Sequence, residues 1–353
     1  MEQRHRAYAA VAATVGIFLL VQLGALALVE PFQSAGYQAV ENPDDPTNSF
    51  AYFGAILIAT GVMLAAIKFD VRWFIRGILV FTSGLLTWYV LNVVVPPLVS
   101  VSVGGVGVNV LALAGAAAVI VGLLVHPEWY VIDATGIVMG AGAAGIFGIS
   151  FGLLPAIILL VVLAVYDAIS VYGTEHMLDL AEGVMDLNVP IMFVVPTTLP
   201  YSFLAAQREA TDGADATGSE EVSEPDAATD DGGASDDRAT DPDGSAGDAV
   251  TDEGPLERDA LFIGLGDAVM PTIIVASAAF FIDEGLIQVP GIALNLASLS
   301  AMVGTMVGLV VLMTMVLKGR AHAGLPLLNG GAIGGYLAGA LASGLTLTQA
   351  LGL

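Results

Sequence analysis

Hydropathy divides this chain into long apolar runs separated by short polar joints. Nine runs, at about 8–28, 49–67, 74–95, 106–125, 131–150, 153–172, 260–281, 291–317 and 325–345, are bounded by charge, Pro or Gly. Apolar runs of about 20 residues match the thickness of a bilayer's hydrocarbon core. The pattern predicts an all-α fold: a polytopic membrane protein of nine transmembrane helices. A hydrophobic content of 56% and a mean hydropathy of +0.82 agree with it.

Basic residues test the count, because Lys and Arg collect in cytoplasmic loops. With nine spans and a cytoplasmic N-terminus, all ten fall on one side: Arg4, Arg6, Lys68, Arg72, Arg76, Arg208, Arg238, Arg258, Lys318 and Arg320. One span more or fewer before residue 208 would split them. The outer joints then carry only acids, Glu30, Glu41, Asp44, Asp45, Asp283 and Glu284, and the C-terminus lies outside. "MEQRHR" precedes the first span without a small-residue cleavage site, so that span reads as a retained helix rather than a signal peptide.

The net charge of -24 is mostly one segment: residues 209–257 hold 17 acids against a single basic residue, Arg238. With almost no large apolar side chain there, burial cannot offset the entropy of ordering, and the segment reads as disordered. Three parts result: 1–172, a six-helix bundle; 173–258, a cytoplasmic loop, acidic and disordered from 209; and 259–353, a three-helix part. No basic cluster suggests nucleic acid, and the absence of cysteine excludes disulfides and thiolate chemistry.

Two ionisable residues stand well inside spans, Asp167 in the sixth and Asp267 in the seventh. Such groups mark functional sites by default. At 1.5 Å per residue, Asp167 lies roughly 9 Å and Asp267 roughly 10 Å from the same cytoplasmic face. Two carboxyls at one depth cannot both ionise cheaply, so they share a proton and form an acid and base pair able to hydrolyse a peptide bond with water. That chemistry needs no cofactor or metal. Gly264 and Gly266 clear space around Asp267. Tyr166 either bonds near the pair or pads a helix interface. Pro326 opens the ninth span near the same depth, as a cleft wall or as a proline starting a helix.

Tyr166-Asp167, Gly264-Leu265-Gly266-Asp267 and Pro326-Leu327-Leu328 on spans six, seven and nine resemble the presenilin and signal peptide peptidase family of intramembrane aspartyl proteases. The chain is most similar to the family's archaeal presenilin homologues. The stretch "HMLDLAEGVMDLNVPIMF" resembles the family's segment after the sixth span. The resemblance implies cleavage of transmembrane segments of membrane proteins within the lipid bilayer of the cell. It implies Asp167 and Asp267 as catalytic, Tyr166, Gly264 and Gly266 as their support, and Leu265, Pro326, Leu327 and Leu328 as substrate-binding. Leu327 departs from the family's alanine in Pro-Ala-Leu.

The competing reading is a proton- or cation-coupled transporter or channel using the same aspartates. A prepilin-peptidase-like site is disfavoured, since Ala268 and Val269 follow Asp267 where that group has lysine. "GISFG" at 148–152 fits a serine-nucleophile pattern, but His5, His126, His176 and His322 all fall on the opposite side of the membrane. "GTMVG" and "GAIGGYLAG" space glycines for helix packing. Asp133, Asp179, Glu182 and Asp186 read as solvated, and Trp73, Trp129 and Tyr130 as interfacial aromatics.

Overall fold

The computed structural model describes residues 2–69, 71–103, 106–173, 192–197, 201–202, 204–205, 260–318 and 323–353. The acidic segment 209–257, His176, Asp179, Glu182, Asp186 and His322 lie outside the described residues. In chain order the elements are α1 (Glu2–Ser34), α2 (Thr47–Lys68), α3 (Arg72–Val94), β1 (Ser100–Val103), β2 (Val106–Asn109), α4 (Val110–Val125), α5 (Trp129–Ser150) and α6 (Leu153–Gly173). There follow β3 (Met192–Pro196), β4 (Ala260–Gly264), α7 (Leu265–Phe281), α8 (Leu296–Val316), α9 (Gly324–Ala342) and the short α10 (Leu347–Ala350).

The fold is mostly helical and polytopic; among the described residues seven helices are long and apolar enough to cross a membrane, against nine expected. The other two, α4 and α7, are apolar but have only 16 and 17 residues. Both shortfalls have one origin: the first residues of the expected spans 106–125 and 260–281 are strands β2 and β4. An apolar run does not by itself distinguish strand from helix, and here pairing decides. β1 pairs with β2, and β3 pairs antiparallel with β4, Val194 opposite Phe262 and Met192 opposite Gly264. The all-α expectation is corrected by these two small sheets.

The helices sort by how much they bury. Along α5, 67% of the span is buried, against 6% along α2, so α5 is central and α2 peripheral. Small residues make α5 central. A Cβ at Gly142, Gly145 or Gly148 would press into Val90, Phe32 or Ala276, which places α3, α1 and α7 directly against its backbone. In lipid there is little hydrophobic drive between helices, so this close backbone approach supplies the packing.

The glycine-spaced motifs pack α8 on α9. Gly304 meets the Gly331 backbone, Gly308 the Leu327 carbonyl and Gly335 the Ser300 carbonyl, each with no room for a side chain. Asn295, fully buried, begins α8 with a capping box, and its amide donates to the carbonyls of Ala278 (2.7 Å) and Ile282 (2.9 Å) at the end of α7. The helix ends are thereby satisfied where water is scarce. At the far end of α9, the buried Tyr336 hydroxyl donates to the Ala350 carbonyl at 2.6 Å.

Asp133 corrects the solvated reading given to it. It is buried in the first turns of α5 and accepts the Val194 N–H of β3 at 2.8 Å.

Gly304→Leu and Gly331→Leu are expected to lower stability by about 1–3 kcal/mol or more through overpacking. Gly330→Ala, with nothing within 4 Å of its new Cβ, is expected to be neutral or slightly stabilising. Thermal unfolding in one detergent checks the contrast.

Candidate active site

Two elements carry the aspartates and a third meets them. Asp167 lies in the last two turns of α6, its side chain buried. Its Oδ2 accepts the Leu325 N–H at 3.0 Å, and the Gly324 N–H also donates to it. Both amides belong to the first turn of α9, whose N-cap residue, Ala323, supplies no side-chain bond of its own. The first amides of any helix have no intrahelical acceptor and carry a partial positive charge. Asp167 therefore caps α9 from a neighbouring helix.

The surrounding residues complete the accounting. Ala323 N–H points to the Tyr172 hydroxyl of α6 at 3.4 Å, and Pro326 has no N–H to satisfy. Pro326 is the third residue of α9 and sits in its first helical turn, the place of a helix-starting proline. Deeper along the same interface, the Asn329 amide donates to the Leu160 carbonyl at 2.9 Å.

Asp267 is the third residue of α7, in its first turn, directly after β4 and the N-cap Gly264. The expected position, about seven residues into a helix starting at 260, is corrected by the strand that occupies 260–264. A Cβ at Gly264 would stand 3.3 Å from Asp267 Oδ2, and a Cβ at Gly324 would stand 3.6 Å from both carboxylate oxygens. Gly324 thus touches Asp167 through its amide and faces Asp267 across its missing side chain. The two carboxyls converge on this point and interact electrostatically.

One cavity reaches Asp267, and a second lies next to the start of α7. A cavity of about 200 Å³ lies between β4, α8 and the start of α9, lined by Gly264, Asp267, Leu312, Met313 and Gly324 among others. A second, of about 250 Å³ and almost wholly apolar, lies between α3, α5 and α7, lined by Leu86, Ala143, Leu265 and Gly266. Gly264 and Gly266 differ accordingly. A side chain at the first would crowd the carboxylate, whereas nothing lies within 4 Å of a Cβ at the second.

The remaining expected residues are placed as follows. Tyr166 is exposed, its ring edge-on to Phe53 of α2 at 5.8 Å. Leu327 is half-buried with its carbonyl on Gly308, and Leu328 is fully buried in a core cluster with Phe18, Ala268 and Leu309. Ser150 of "GISFG" is buried, donating to the Ile146 carbonyl and accepting from the Ala39 N–H. Among the described residues, no three His, Asp or Glu side chains are grouped as a metal site would need. Sequence reading missed Tyr172 and the amides of Ala323, Gly324 and Leu325. Only the glycine before Pro326 was a visible sign.

A helical polytopic fold that brings two aspartates together inside the bundle belongs to the class of membrane-embedded aspartyl proteases. The sequence profile described as "Signal-peptide peptidase, presenilin aspartyl protease" matches residues 15–345. Two solved structures, each of a presenilin family intramembrane aspartate protease, are similar throughout. One, in the C222 crystal form, is 31% identical over 94% of this chain and 99% of its own, with a TM-score of 0.58. The other, in the P2 form, is 32% identical over 94% and 97%, with a TM-score of 0.56. No curated protein matches the chain. The chain belongs to the signal-peptide peptidase and presenilin family of aspartyl proteases.

Gly324→Ala is expected to fold normally, its Cβ making ordinary contacts of 3.4–3.6 Å. Gly324→Val pushes a branched side chain toward Asp267 and is expected to slow cleavage of a transmembrane reporter peptide by roughly 10²-fold, the scale of a 1 Å misplacement. Rate measurement beside a melting curve checks both.

Proposed function

We propose that Asp167 and Asp267 are the catalytic pair with which this intramembrane aspartyl endopeptidase hydrolyses peptide bonds in the transmembrane segments of other membrane proteins. The observation that carries the proposal is their convergence on Gly324 and Leu325.

In the reaction, one carboxylate takes a proton from water while the other, protonated, donates to the oxygen of the scissile carbonyl. The water oxygen bonds to the carbonyl carbon. Collapse of the resulting diol breaks the C–N bond as the amine takes a proton from the pair, leaving an acid and an amine. The pair titrates as a unit, so neither proton belongs to one named residue. The carbonyl must first leave its helical hydrogen bond, so the substrate unwinds locally. The apolar cavity at Leu265 and Gly266 suits the side chains of a lipid-soluble segment, with Gly266 giving close backbone access. Pro326 and Leu327 flank the unwound part from α9, and Leu328 braces them from the core.

The topology belongs to the same reading. Helices of 16 and 17 residues rise about 24–26 Å, so α4 and α7 cross most of a core roughly 30 Å thick, and their preceding strands complete the passage. Nine passages put all ten basic residues, the N-terminus and the 209–257 loop on the cytoplasmic side of the cell membrane and the C-terminus outside.

Asp167→Ala and Asp267→Ala are each expected to reduce cleavage of a reporter transmembrane peptide in detergent by at least about 10²–10⁴-fold, with the fold intact. A hydroxyl isostere of the tetrahedral intermediate is expected to inhibit the native protein. Cleavage retained in either variant would defeat the pair. An ion flux in liposomes that both variants lose, without any peptide cleavage by the native protein, would favour transport instead.

A further inference from the structure

The site described so far uses α6, α7 and α9. Outside that site a further carboxylate, Asp133 on α5, is buried, 8% exposed, and takes no part in that chemistry. An ionisable group within a bundle is expensive unless it is bonded, and such residues mark function by default. The partner of Asp133 is a backbone amide far away in sequence, Val194 N–H, held at 2.8 Å.

The direction of that bond matters. β3 pairs antiparallel with β4, with Phe193 opposite Ile263, Val194 opposite Phe262 and Val195 opposite Leu261. Opposed residues in such a ladder alternate between bonded and non-bonded pairs. The Val194 amide goes to Asp133, so it lies on the edge of β3 that faces away from β4. Asp133 therefore closes the outer edge of the sheet at one position and ties β3 to α5 at a fixed height. One turn further along α5, Gly136 seats the Phe193 ring, with no room for a Cβ. At the start of α5, Glu128 accepts the Ser202 hydroxyl at 2.7 Å. The N-cap of α5 and two points on the helix thus hold Ser202, Val194 and Phe193.

What this grip controls is the register of β4. The strand runs without a break into Gly264, the N-cap of α7, and Asp267 follows in the first turn. A slip of one residue between β3 and β4 would turn the buried Ile263 outward. It would also move the start of α7 by about 3.3 Å along the strand, far more than an acid and base pair tolerates.

We propose that Asp133 is a positioning residue that locks the β3–β4 register and thereby holds Asp267 opposite Asp167. Its effect on cleavage rests on the catalytic roles assigned above. Its effect on the strand pair does not.

The experiment compares Asp133→Asn, Asp133→Ala and Asp133→Glu in the full chain, reading reporter-peptide kinetics, melting temperature and amide hydrogen exchange over 192–196 and 260–264. Asp133→Asn keeps an oxygen acceptor in place and is expected to stay within about 3-fold of the native kcat. Asp133→Ala loses the acceptor and Asp133→Glu displaces it. Both are expected to lower kcat by roughly 10–100-fold, with KM changed less than about 3-fold and exchange accelerated in both strands. Native exchange in Asp133→Ala, or native kcat in it, overturns the proposal. So does an Asp133→Asn as impaired as Asp133→Ala, or a native-like Asp133→Glu beside an impaired Asp133→Asn, since charge rather than the placed acceptor would then be at work. If Asp133→Ala does not fold, the Asn and Glu pair alone decides. If the native protein cleaves nothing, exchange still reads the lock.

Discussion

A helix that begins inside a bundle must find acceptors for its first amides, and α9 finds them on α6. Asp167 receives the Leu325 and Gly324 amides, Tyr172 meets Ala323, and Pro326 has no donor to place. The same carboxylate is the one that stands beside Asp267. Capping of α9 and the approach to Asp267 are thus joined in one side chain: the backbone of α9 aims Asp167, and Asp167 fixes where α9 begins. Asp167 thus sets where the third wall of the site begins, at Gly324, which faces Asp267.

Around that contact the bundle is assembled by missing side chains. α5 admits α1, α3 and α7 at Gly145, Gly142 and Gly148, and α8 lies against α9 at Gly304, Gly308, Gly331 and Gly335. Backbone contact of this kind leaves little freedom to slide, since each glycine seats a particular neighbour. It gives the site a rigid frame, while the peripheral α2, mostly unburied, meets the bundle through Ser49, Tyr52 and Phe53.

The approach to Asp267 is not helical. β3 and β4 bring the chain to the site as a two-stranded antiparallel sheet, and α7 starts only at Leu265. Irregular backbone at membrane depth is tolerated where protein covers it or a wet cavity adjoins it. Protein covers it here: Phe193, Val194 and Val195 are buried, and a cavity lined by Gly264 and Asp267 lies alongside. Residues 260–264 thus pair with β3 rather than within a longer α7.

Hydropathy alone determined that this chain lives in a bilayer, where its helices run to within a few residues, and that Asp167 and Asp267 are exceptional, because burying charge in lipid is costly enough to leave a plain mark on composition. The glycine spacing likewise announced close helix contacts. Other features depended on partners distant in sequence. Residues 260–264 form a strand because β3 lies beside them, and an apolar run carries no trace of that. Asp133 looked like any acid at a helix end until the fold set Val194 against it. Tyr172 and the amides of α9 joined the site only through the packing of α6 on α9, since a backbone N–H has no letter in a sequence and its partner is chosen by tertiary geometry alone.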